Sequence, residues 1–213
     1  MSRSTAKQTA SKPKPSRALR AAETRQAILD AALDEFSAQG FAAARIEDVA
    51  KRAAVGKGTI YLHFKDKEAL FQELVRTSLV PLVGSMRAPT GEVSVRSLLE
   101  TFADTFVRDI LNTRRSDIIR LVIAEGRRFP SLAEFHFREV IAPATAAMQR
   151  LMTYGIARGE ITNPDLQRFP QLIIGPAMVA LIWQGLFGKF AALDVAAMMR
   201  AHIDMILQSG RTP

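Results

Sequence analysis

The 213-residue chain contains no cysteine, which excludes disulfides, thiolate nucleophiles, thiol redox switches and cysteine-ligated zinc, and fits a reducing, cytoplasmic setting. Histidine is almost as scarce. The three present, His63, His136 and His202, are too far apart for the i, i+4 histidine pair of a helical zinc site, so no metal or other cofactor is expected. The longest uncharged apolar run, Leu172 to Leu186, is interrupted by Gly175, Pro176 and Gln184 and falls short of the ~18 residues a membrane span requires. Sustained period-two alternation is missing too, so strands are not expected. No nucleophile stands beside a base and no carboxylate pair is set apart from ordinary surface charge, which argues against an enzyme. The "GKGT" of residues 56–59 lacks the leading glycine of a nucleotide-binding P-loop.

What is present describes a folded protein with a basic bias. Hydrophobic residues make up 48% and charged residues 23%, ordinary values for a globular chain long enough to bury a proper core. The net charge of +8 is unevenly placed: Arg3, Lys7, Lys12, Lys14, Arg17 and Arg20 all precede the first acid, Glu23. Residues 1–19 are rich in Ser, Thr and Pro without apolar periodicity and read as a disordered basic arm. Two roles stand open for it: a solubilising tail, or an arm that tracks phosphates or a minor groove. No apolar stretch follows its cations, so a secretory signal is not expected.

From residue 18 onward the long segments carry helical spacing, and the fold class is all-α. Ile28, Leu29, Ala32, Leu33 and Phe36 form one stripe that stops at Gly40. Ile46, Val49, Ala50 and Ala53 give a short second helix, "AAVG" a tight turn, and Lys57 to His63 a third helix, which together make a helix-turn-helix. Asp66 is placed to cap a fourth helix, whose buried face holds Leu70, Phe71 and Leu74 and which Pro81 should kink or end. After a loop at "RAPTGEVS", apolar periodicity marks a long helix through Leu98, Leu99, Phe102, Phe106, Ile110 and Leu111, and a shorter one over 118–125. Another long helix starts at Pro130, is bent at Pro143 and stops near "ARGE". Asn163 and Pro164 should open the next helical region as cap and first position. The segment at 170–188 is apolar nearly all round, so it must be covered on more than one side. The last helix, 194–208, places Val195, Met198, Met199, His202, Met205 and Ile206 on one face.

Residues 24–71 hold a dense set of positions at one spacing: Phe36, Gly40 and Phe41; then Asp48, Val49 and Ala50; then Val55, Lys57, Gly58, Thr59, Ile60, Tyr61, His63, Phe64, Lys67 and Leu70. This pattern resembles the DNA-binding domain of the TetR family of bacterial transcriptional regulators, and "VIAEGRRFPSLAEFHFREVIAP" is similar to its AcrR-like sub-type. The resemblance implies an N-terminal three-helix DNA-binding domain (20–66) and a C-terminal helical ligand-binding and dimerisation domain (67–210), about nine helices in all. It assigns DNA contact, mainly to phosphates, to Lys57, Thr59, Tyr61 and His63, and a backbone clamp to Lys67. Gly56 and Gly58 would let the backbone approach closely, Leu62 would face the groove with Gly58 and Thr59 and could meet a thymine methyl, and Arg45 would reach a phosphate. Ile60 and Phe64 belong to the core.

The chain departs from the family pattern in three places. Ala44 and Arg45 replace the hydroxyl that usually opens the second helix, at a cost of about 0.5–2 kcal/mol by analogy with cap deletions. Ala54 stands where the turn usually has glycine, and Gly56 replaces the usual serine. The resemblance further implies a homodimer through the helices at 170–188 and 194–208, a double-stranded operator of near-palindromic sequence, a small-molecule inducer and no membrane. For the inducer pocket, Phe102, Phe106, Met148, Met152, Trp183 and Phe187 are the candidate apolar lining, with Glu125, His136 or Gln184 as polar anchors; a plain core role competes for each. The expected function is a repressor released by its ligand. The alternative is a helical dimeric coactivator that uses the same head for protein docking.

Overall fold

The structure is a computed structural model that describes residues 16–86 and 91–208. The expected arm therefore lies outside the described residues except for its last four, and part of the loop after Met86 lies outside as well. Among the described residues every regular element is helical. Helix α1 runs from Arg17 to Ala43, opened by Ser16, whose Oγ accepts from Leu19 N at 3.2 Å. The expected stripe is buried, and Gly40 breaks the helix at φ 76°, ψ 159°, before one further turn through Phe41. Helices α2 (Ile46–Arg52) and α3 (Lys57–His63) follow, and α4 (Lys67–Ser78) begins under Asp66, whose carboxylate accepts from Ala69 N at 2.7 Å. Pro81 acts as expected: α4 ends and a short α5 (Val80–Gly84) restarts with the proline in its first turn, where its missing N–H costs nothing.

The second half contains α6 (Val95–Thr105), α7 (Arg115–Glu125), α8 (Pro130–His136), α9 (Ala142–Ala157), α10 (Asp165–Arg168), α11 (Gln171–Leu186) and α12 (Val195–Gln208). Side-chain caps at Ser94 and Asp194 open α6 and α12. The expected helices, about nine, are split further, giving twelve α-helical segments among the described residues, and two π-helical turns, Phe106–Leu111 and Phe137–Ile141, were not foreseen. The second lies just before Pro143, whose ring would clash with the carbonyl four residues back, at Glu139; widening the turn moves that carbonyl away. Asn163 does accept from Asp165 N at 3.0 Å, but the helix it opens lasts one turn, because Pro170 forces a second start for α11.

Burial divides the apolar side chains into two clusters. One joins α1–α4 to Ile118, Leu121, Leu132, Phe135 and Val140 of α7, α8 and the adjoining π turn. The other gathers α6, α9, α11 and α12, and Ile119 packs against both. The head is thus cored by α7 and α8 as well as by its own helices. Phe36, Phe41 and Phe71 are fully buried in it, each worth about 1.5–3 kcal/mol relative to exposure. No described helix is long and apolar enough to cross a membrane.

One buried group makes stability depend on acid. His136 is 4% exposed and its Nδ1 has no hydrogen-bond partner, so burial pushes its pKa from 6.5 down to about 4. The folded state holds it neutral while the unfolded chain protonates near 6.5, so stability is present above that pH and is lost as pH falls towards 4. The full loss is about 3 kcal/mol. Urea titrations between pH 7 and 4 are expected to show this slope in the wild type and a flatter one in His136→Leu.

Candidate nucleic-acid interface

Helix α3 is seven residues long and buries one of them, Ile60. Because side chains four apart share a face, its sequence sorts into four stripes. Ile60 continues inward to Phe64, also buried. The other stripes are Lys57 with Tyr61, Gly58 with Leu62 and Thr59 with His63. Leu62 is 84% exposed and Tyr61 48%. An exposed leucine alone is ordinary. Here it stands beside Gly58, where an added Cβ would meet no heavy atom within 4 Å, so the shell between the two is open to whatever approaches.

Three of the charges around this surface are paired with acids of the head. Lys57 Nζ pairs with Glu47 of α2 and lies 5.7 Å from the Tyr61 ring centroid. The Lys57 hydrogen bond holds the Glu47 carboxyl below its usual range, and the same bond raises the Lys57 ammonium. Both groups are solvated, so a phosphate can replace the carboxylate at small cost. Arg45 is exposed at the N-cap of α2 with no capping bond, as its side chain predicts. Lys51 pairs with Asp48 at 3.0 Å, and Arg52 with the buried Glu35 at 3.1 Å.

The turn departs from ideal geometry at Ala54. Its φ is +54°, the sole positive φ at a non-glycine among the described residues. The Val55 N–H still closes the turn onto Ala50 O at 3.0 Å. A left-handed alanine costs about 1–2 kcal/mol, while glycine there loses about 0.4–1 kcal/mol through the unfolded chain. Ala54→Gly is therefore expected to stabilise by about 0.5–1 kcal/mol, read as a Tm increase of about 1–3 °C.

Lys67, expected as a backbone clamp, is engaged within the fold. Its Nζ donates to Phe41 O at 2.7 Å and Ala42 O at 3.0 Å, with Ala44 O at 3.5 Å, and sits 4.8 Å from the Phe41 ring. The last carbonyls of α1 need a donor, and a lysine at the start of α4 supplies it. Of the other seven residues expected at DNA, Arg45, Lys57, Gly58, Tyr61, Leu62 and His63 are exposed and Thr59 is half-buried.

The candidate pocket residues do not converge. Phe106, Met148 and Met152 are buried in the second core, whereas Phe102 lines a small apolar cavity between α6, α11 and α12 with Leu99, Ile173, Pro176, Met199 and His202. That cavity measures about 10 Å³, room for about one water. Glu125 accepts from the Phe41 N–H at 3.1 Å and does not line that cavity. His136 is buried at the end of α8. Trp183, Gln184 and Phe187 lie at the exposed end of α11: Trp183 Nε1 donates to Ala191 O, Gln184 Oε1 accepts from Arg120, and Phe187 is 46% exposed. Phe187 belongs to an exposed apolar surface with Leu172, Val179, Ile182, Leu186 and Phe190, spaced along α11 and its C-terminal turn. Sequence periodicity missed this because α11 is apolar on nearly every side. Met205 of α12 is likewise exposed, not on the buried face.

Comparison with known proteins agrees with this architecture. Residues 28–74 match the family described as bacterial regulatory proteins, tetR family, and residues 89–204 match the tetracyclin repressor-like C-terminal domain. The HTH-type transcriptional regulator YdeS of Bacillus subtilis is 30% identical over 163 residues, covering 76% of this chain and 80% of the relative. AcrR of Shigella flexneri is 34% identical over 133 residues, 61% of this chain and 56% of its own. The transcriptional regulator FadR from Bacillus subtilis in complex with stearoyl-CoA superposes with a TM-score of 0.67 at 20% identity, covering 88% of this chain and 99% of FadR. The chain belongs to the TetR family of bacterial helix-turn-helix transcriptional regulators.

Proposed function

We propose that this protein is a homodimeric repressor that holds a near-palindromic operator and is released from it by a small apolar ligand, acting without catalysis. The observation that carries the DNA half of this reading is the exposure of Lys57, Gly58, Tyr61, Leu62 and His63 on α3, with Thr59 half-buried among them, Ile60 alone buried, and Arg45 exposed at the start of α2. Lysine, arginine and the two ring side chains meet phosphates, and Leu62 beside Gly58 meets a base edge. The apolar stripe of α11 supports the dimer, since so much exposed surface on one helix favours a self-complementary partner. Two heads on a two-fold axis then address half-sites about 34–36 Å apart or slightly more.

The ligand half is supported by the apolar lining around Phe102 and by the fold shared with FadR, which was solved with stearoyl-CoA. A cavity of about 10 Å³ holds no such molecule, so a ligand selects a state in which α6, α11 and α12 have parted, and it weakens DNA binding only if it prefers that state. The test is selection of bound fragments from the parent genome by the full chain. Recovered fragments should share a near-palindrome, and their affinity should fall steeply with salt, by a slope of about 0.9 per neutralised phosphate. Absence of salt-sensitive DNA binding would overturn this reading and favour the protein-docking coactivator.

A further inference from the structure

The last residue of α7 reaches into the head and holds the turn that starts α2. Glu125 Oε1 accepts from Phe41 N at 3.1 Å, while Lys67 Nζ donates to Phe41 O at 2.7 Å. One residue of the α1–α2 turn is thus gripped by an anion at its N–H and a cation at its carbonyl. The turn is shaped to accept this grip. A Cβ on Gly40 would lie 2.7 Å from Glu125 Oε1, and the Phe41 ring packs edge-on against Phe129, 5.0 Å away in the segment after α7.

The rest of α7 is tied down elsewhere. At its start Arg114 pairs with Asp34 of α1, and Arg115 donates to Ser78 O at the end of α4 at 2.9 Å. At its middle Arg120 donates to Leu181 O at 3.3 Å and Gln184 Oε1 at 3.1 Å, both on α11. One short helix therefore connects α11, at Leu181 and Gln184, to the turn from which α2 and α3 are hung.

We infer that Glu125 is a positioning residue for DNA binding: it transmits the placement of α11 through α7 to the α1–α2 turn and so sets the angle at which each head is presented. This rests on the DNA-binding dimer proposed above. The route differs from a shift of α4 alone, because Phe41 is held from α7 and α4 together. A head angle matters only when two heads must fit one duplex at once, where the second contact is effectively intramolecular and is lost if the geometry is wrong. A single head on a half-site does not sense it.

The experiment measures the full chain on two duplexes, the palindromic fragment recovered by genomic selection and one half of it, for wild type, Glu125→Ala and Glu125→Gln. The alanine variant should lose about tenfold or more on the palindrome and keep half-site affinity, while glutamine, whose amide oxygen accepts the same N–H, should stay close to wild type. Hydrogen exchange at the Phe41 amide should accelerate in the alanine variant and not in the glutamine variant. Equal losses on both duplexes with a lowered Tm would mean a merely structural contact and overturn the inference, as would unchanged binding to both. A wild type that binds neither duplex would sink the DNA reading itself.

Discussion

Replacing Gly40 with alanine is expected to lower the free energy of unfolding by about 2–4 kcal/mol, two effects adding at one position. The backbone there, φ 76° and ψ 159°, lies in a region open essentially to glycine, at a cost of about 1–3 kcal/mol for any other residue. The new Cβ would also sit 2.7 Å from Glu125 Oε1 and push the carboxylate off the Phe41 N–H, a charge-assisted bond worth about 1.5–3 kcal/mol. The reduced freedom of the unfolded chain returns about 0.4–1 kcal/mol. Thermal unfolding should show a Tm lower by about 5–15 °C. The double variant Gly40→Ala, Glu125→Ala should be less destabilised than the two single changes summed, because the clash and the lost bond are the same event. Strict additivity would mean that Gly40 and Glu125 do not meet.

The sequence made the local features legible. Asp66 capping α4, Pro81 ending α4 and the inward pair Ile60 and Phe64 all follow from spacing within one or two turns. The departure at Ala54 is also local, and the positive φ resides there. What escaped was long-range. Which atoms Lys67 meets depends on where the carbonyls of α1 come to lie, and Glu125 meets a partner 84 residues away. The scatter of the pocket candidates has another cause: Trp183 and Phe187 sit on and at the end of α11, a helix apolar on nearly all sides, so periodicity does not say which side its own chain covers and which it leaves exposed. The π turn before Pro143 shows a third limit, since the proline predicts a disturbance without saying whether the helix bends, stops or widens.

The sharpest separation of fold from function is expected at Gly58. Substitution by aspartate should leave the protein as stable as wild type or slightly more so, while reducing affinity for the selected DNA on the order of a hundredfold. The stability half follows from the structure. Gly58 is exposed, its φ is not positive, and a Cβ there meets nothing within 4 Å. It is the second residue of α3, whose first turn holds no acid, and a carboxylate at a helix N-terminus contributes about 0.3–1 kcal/mol. Removing a glycine from a helix adds about 0.5–1 kcal/mol more. The binding half follows from the proposed interface. The same carboxylate would stand one turn before Leu62 and next to Lys57, facing phosphates it repels, and it would compete with them for the lysine as Glu47 already does. The salt slope should therefore fall by about one. Gly58→Ala, which adds bulk without charge, separates the two causes: a large loss there means the groove wall comes within van der Waals reach of the α3 backbone, and a small one means charge dominates. Thermal melts paired with fluorescence anisotropy across a salt series measure both halves on the same samples. An aspartate variant that binds like wild type would remove α3 from the groove, whatever the family resemblance.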